Sequence, residues 1–149
     1  MTPISTRRGE LPSRVEPPLS VTDSVRYQGA VGDFNPLHHD WRAAEAAGHS
    51  APFAVGGLTA GIMATYLADL FGPDTVRYLR FRFHSPAWPG DELTYSGEWE
   101  LRSDGGGEEV HVRFRVAREP GDPHISGEAR FAVGNGPATG LPWTNTTRR

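Results

Sequence analysis

Between Gly32 and Asp40 the chain places Asp33, Asn35, His38 and Asp40 around a single proline, Pro36. A carboxylate and an imidazole this close can share one water. One takes its proton and the other holds or relays it, which is general acid–base chemistry. Asn35 is a good helix N-cap and Pro36 a good first helical residue, so the spacing predicts a tight turn that brings Asp33 and His38 together. Taken alone, Asp33-x-Asn35-Pro36 is also an ordinary turn and helix start, and a single histidine is more often structural than catalytic. The other constellations are weaker. His38 and His39 are adjacent and point to different faces, and no His-x-x-x-His pair exists, so no metal site is expected. Gly48-His49-Ser50 is not a nucleophile elbow, and Gly105-Gly106-Gly107 reads as a hairpin loop because no helix follows it. Arg80, Arg82, Arg113 and Arg115 form an outward row, more often a solvated sheet face than a site, although such a row could help hold phosphates. The absence of cysteine excludes thiol catalysis and a disulfide framework.

These residues need elements to position them. A first helix is expected over about Asp23–Val31 with Thr22 as its N-cap, and a helical stretch from Pro36 to Ala47 with Gly48 just past its end. The longest helix, about Val55–Phe71, stops at Gly72-Pro73. Its large apolar residues are Leu58, Ile62, Met63, Tyr66, Leu67, Leu70 and Phe71, and its other positions are mostly Gly, Ala or Thr, so it must be covered nearly all round. Four strands follow, at about Thr75–His84, Glu92–Leu101, Glu109–Arg118 and Ile125–Val133. The third alternates Val110, Val112, Phe114 and Val116 against His111, Arg113 and Arg115. Short turn signals separate the strands, which predicts antiparallel pairing. The expected class is α+β: a long central helix wrapped by a curved antiparallel sheet, the arrangement of a single hotdog fold.

With 149 residues and 16.3 kDa the chain is one domain's worth. Residues 1–19 hold four prolines and charges of both signs and read as a flexible N-terminal arm; 20–133 form the folded domain, and 134–149 an irregular tail with Trp143 pinned down. A net charge of −3 argues against a nucleic-acid partner. Ala51–Ala68 is uncharged, but Pro52, Gly56, Gly57 and Gly61 make it a buried soluble helix rather than a membrane span. The first residues lack an apolar signal segment, so the expected location is cytoplasmic.

Gly32-Asp33-x-Asn35-Pro36-x-His38-x-Asp40 resembles the signature of the MaoC-like (R)-specific enoyl-CoA hydratases and dehydratases. Pro52–Ile62 is similar to the start of that family's central helix, and Pro86-x-x-Pro89-Gly90-Asp91-x-Leu93 to a later strand and its approach. The likeness covers about 20–133 and comprises several motifs in the right order. It departs from the family where Val55-Gly56-Gly57 replaces a common His-Gly pair, and where Thr59 stands for the commoner serine. The resemblance implies an enzyme, a hydro-lyase that adds or removes water at the double bond of a 2-enoyl thioester. It implies no cofactor, since coenzyme A or an acyl carrier enters only with the substrate. It also implies a homodimer whose two sheets run on into each other, or a heteromer with another hotdog chain.

Hydration of such a thioester needs a base for the water, an acid for the α-carbon and donors for charge on the thioester oxygen. Asp33 is assigned as the base and His38 as co-activator and proton relay, while Asn35 holds the loop. The amides at the start of the central helix have no intrahelical acceptor, so Gly56, with Gly57 and Thr59 beside it, is the substrate-binding and oxyanion candidate. Gly57 and Gly61 lie on one helical face and either leave a groove for the acyl group or are filled by Trp88, Trp99 or Phe81. The alternative readings are a hotdog acyl thioesterase and a partner subunit of a heteromeric hydratase. Against the first, Val55–Ala68 carries no carboxylate.

Overall fold

The computed structural model describes residues 7–103, 107–118, 121 and 123–133. The expected tail 134–149 with Trp143, Gly105 and Gly106 of the glycine loop, and Pro120 and Asp122 of the last turn lie outside the described residues. Helices α1 (Val21–Val31), α2 (Trp41–Ala46) and α3 (Gly56–Phe71) precede most of the sheet. The strands are β1 (Arg8–Glu10), β2 (Arg14–Val15), β3 (Val76–Phe83), β4 (Thr94–Ser103), β5 (Glu108–Ala117) and β6 (Pro123–Ala132). All pairings are antiparallel, in the order β1-β4-β5-β6-β3, with β2 also on β4. This is the α+β hotdog arrangement. Among the described residues no helix is long and apolar enough to cross a membrane.

Burial of α3 explains the curvature of the sheet. Met63, Tyr66, Leu67 and Phe71 pack in one core with Tyr95, Trp99, Val110, Val112, Phe114, Val116, Ile125 and Phe131. Phe114 is flanked across the sheet by Gly97 on one side and Gly127 on the other, and Gly127 in turn faces Phe81. A Cβ on Gly127 would stand 2.2 Å from the Arg80 carbonyl oxygen and 2.3 Å from the Phe114 ring. The Phe81 and Phe114 rings, 5.3 Å apart, thus close over bare backbone.

Two helix boundaries differ from expectation for a local reason. Helix α1 is capped by Ser20, not Thr22, because Ser20 and Asp23 form a reciprocal box: Ser20 Oγ accepts from the Asp23 amide and Asp23 Oδ2 from the Ser20 amide, each at 3.1 Å. The expected helix over 36–47 divides into a 3₁₀ turn, Pro36–His38, and α2. Asp40 Oδ1 caps the Arg42 and Ala43 amides, so a second N-cap restarts the chain.

The N-terminal arm is not loose where it is described. Beyond β1 and β2, the Leu11 amide donates to the Gly97 carbonyl at 2.8 Å, and the Leu19 amide to that of Asp91 at 2.9 Å. Tyr66 OH donates to the Pro12 carbonyl, and Leu11 and Leu19 are buried. The arm satisfies the outer edge of β4, a tertiary demand that has no local periodicity.

Candidate active site

Gln28, buried in α1, organises the loop that follows. Its carbonyl accepts from the Gly32 and Asp33 amides as the helix ends, with Gly32 in the left-handed region at φ 72°. Its side-chain amide donates to the Asn35 carbonyl at 2.9 Å, while its Oε1 accepts from His39 Nδ1 at 2.9 Å. Asp33 Oδ1 accepts from the Asn35 amide at 3.1 Å, and Asn35 Oδ1 accepts from the Leu37 amide at 3.1 Å. Asn35 is therefore bonded inside the loop, as its type suggested. His39 turns to Gln28 and away from His38, which removes it from the site.

His38 closes the 3₁₀ turn rather than opening an α-helix. A carbonyl orients it instead. Phe53 O lies 2.9 Å from Nδ1, and a carbonyl only accepts, so Nδ1 carries a proton. In the neutral ring Nε2 is then an acceptor. It stands 3.9 Å from Asp33 Oδ2, too far for a direct hydrogen bond. The His38 ring is 8% exposed and meets Phe53 edge-on at 4.9 Å, while the Asp33 carboxylate reaches solvent. Two acceptors that face each other across such a gap fit one water that donates to both.

The segment that fixes His38 also opens α3. Phe53 lies three residues before Gly56, and its amide donates to the Leu37 carbonyl at 3.3 Å. Gly56 and Gly57 are the first two helical residues, and neither amide donates to backbone outside the helix among the described residues. Both glycines are also tightly packed. A Cβ on Gly56 would stand 2.9 Å from the Phe83 ring, and one on Gly57 would stand 2.6 Å from the Tyr27 hydroxyl. Tyr27, not Trp88, Trp99 or Phe81, covers the Gly57 position, while Gly61 has open space beside it. Thr59 is fully buried, and its hydroxyl lies 3.1 Å from the Gly56 carbonyl and 2.9 Å from His124 Nε2.

Asp33, Asn35 and His38 thus share one loop, and Gly56, Gly57 and Thr59 share the first turn of α3, joined to that loop through Phe53. Gln28, Tyr27, Phe53, Phe83 and His124 escaped the sequence reading. A buried amide beside a loop and a carbonyl acceptor leave no motif. His124 had one local signal, its place after Pro123 at the start of a strand expected only from Ile125.

Residues 5–119 match the family model described as MaoC like domain. The mouse (Mus musculus) peroxisomal multifunctional enzyme type 2 is 33% identical over 98 residues, 64% of this chain, but the chain spans only 12% of that enzyme's length. The ChsH1-ChsH2 complex of Mycobacterium tuberculosis shares the fold with a TM-score of 0.73 at 24% identity, covering 85% of this chain and 96% of the other. The (R)-hydratase of A. caviae involved in PHA biosynthesis does so with a TM-score of 0.68 at 22% identity, over 90% of this chain and all of that one (100%). The match over most of its length shows that the chain belongs to the MaoC-like dehydratase family.

Proposed function

We propose that the chain is an (R)-specific hydratase/dehydratase that adds or removes water at the double bond of 2-enoyl thioesters. The observation that carries this reading is the 3.9 Å gap between His38 Nε2 and Asp33 Oδ2, with the opposite ring nitrogen tied to Phe53. In hydration, water held in that gap loses a proton to Asp33 as its oxygen bonds to the β-carbon. His38 keeps the water in line, and the pair returns a proton to the α-carbon. The charge that builds on the thioester oxygen meets the amides at the start of α3, with Gly56 the main donor. Dehydration runs the same steps backward. No cofactor enters, and coenzyme A or an acyl carrier arrives as part of the substrate.

The reading includes a second hotdog chain, either another copy or a different subunit. In its support, β3 ends the sheet with no strand beyond it among the described residues, and its last residue, Phe83, is half exposed although it lies against Gly56. Phe34 and Trp41, which flank the Asp33–His38 loop in sequence, are also exposed.

Hotdog thioesterases usually place their carboxylate on the central helix. Helix α3 extends three residues past the uncharged stretch and so includes Asp69, but Asp69 is exposed and about 20 Å along the axis from Gly56. A 2-enoyl-CoA absorbance assay run beside a thiol-release assay tests the choice. Loss of the enoyl band without free thiol is the expected result. Thiol release without hydration would make the protein a thioesterase.

A further inference from the structure

Behind the first turn of α3 lies a buried pair that the proposed reaction does not use. The pairing of β5 with β6 passes from Val116↔Ile125 to Ala117↔Pro123, so His124 is the extra residue of a bulge. Bulges re-aim side chains, and this imidazole points into the protein with 2% of its surface exposed. Its Nδ1 bonds the Ser85 carbonyl, which only accepts, so Nδ1 carries the ring proton. Nε2 is left as an acceptor, 2.9 Å from the Thr59 hydroxyl. Thr59 has one hydrogen to give, and the Gly56 carbonyl at 3.1 Å competes for it. The ring is held neutral mainly by burial. Arg118 and His84 also oppose a positive charge, while Asp91, which accepts from Arg118 at 2.7 Å, and the Ser85 carbonyl favour it. Neutral His124 therefore draws the Thr59 hydrogen toward β6.

We infer that His124 is a positioning residue for the thioester-binding turn: it takes the Thr59 hydrogen, pins Gly56–Thr59 to β6 and leaves the thioester oxygen to backbone amides. Thr59 then acts by anchoring the turn that carries Gly56, not as an oxyanion donor. This rests on the hydratase reading above.

The test combines steady-state kinetics on a 2-enoyl-CoA with nitrogen-15 NMR of the intact chain. Thr59→Val is expected to lower kcat about tenfold with KM changed less than about twofold, because a displaced turn misaligns donors that matter most in the transition state. Thr59→Ser should restore most of the loss. His124→Gln, which keeps an acceptor, should lose less than His124→Leu. Thr59→Val with His124→Leu should be no worse than the weaker single variant, since both delete one bond. Wild-type kcat in Thr59→Val, or losses that multiply in the double variant, would overturn the inference. The NMR reads the His124 tautomer without substrate, even if no His124 variant folds. A proton on Nδ1 at neutral pH is expected, and one on Nε2 would overturn the inference as well. The expected tautomer in a wild-type protein that hydrates no 2-enoyl thioester would instead remove the hydratase reading, and this role with it.

Discussion

His38 spends one ring nitrogen on Phe53 and turns the other toward Asp33, and this division of labour fixes what each variant should do. Asp33→Asn and His38→Ala should each lower turnover of a 2-enoyl thioester by about a hundredfold or more, with the thermal midpoint little changed. Near wild-type rates in both would remove the pair from the chemistry. His124 makes a second prediction, on stability. Burial lowers its pKa below the ordinary 6.5, so the unfolded chain binds the proton more readily than the folded one. Its contribution is fully present above about pH 6.5 and is lost as pH falls through the lowered folded value. Urea unfolding at a series of pH values should therefore show wild type losing more stability on acidification than His124→Gln. Parallel curves would mean that the ring is not held neutral. At this scale the sequence disclosed the residues that the proposed reaction uses and not those that hold them. Asp33 and His38 are legible because their chemistry needs fixed types at short spacing. Gln28 and Phe53 act through a side-chain amide and a carbonyl that any folded loop could supply.

At the scale of elements, the three long strands β4, β5 and β6 were readable because burial on one face imposes a period, and α3 because its large apolar residues recur at helical spacing up to Gly72-Pro73. The divided helix at 36–46 and the strands of the arm were not. The first turns on which of two caps, Asn35 or Asp40, governs the chain, and the second on an edge of β4 that exists only after folding. Two glycines separate packing from propensity. Gly127→Ala would drive a methyl against the Arg80 carbonyl and the Phe114 ring, and should cost more than about 2 kcal/mol or prevent folding. Gly61 has no neighbour within 4 Å of an added Cβ, so Gly61→Ala should gain about 0.5–1 kcal/mol in chemical denaturation. A loss at Gly61 would show that its bare backbone is used. Gly57→Leu would collide with Tyr27, so its effect should be similar for crotonyl and longer enoyl substrates.

The whole molecule presents two unequal sheet margins. On one, the arm lays β1 and β2 along β4, two pieces of three and two residues. On the other, β3 offers eight residues with no strand beyond them among the described residues. Light scattering at micromolar concentration should find two chains per particle, and a monomer would count against the proposed pairing. The inequality also limits how far association can run. Two copies that meet β3 to β3 about a twofold axis use up the one long margin on each, and the surfaces left facing outward are short, interrupted segments that extend poorly. For the proposed pair, growth would therefore terminate there. Removing the arm would restore a second long margin and convert a closed particle into one able to polymerise end to end.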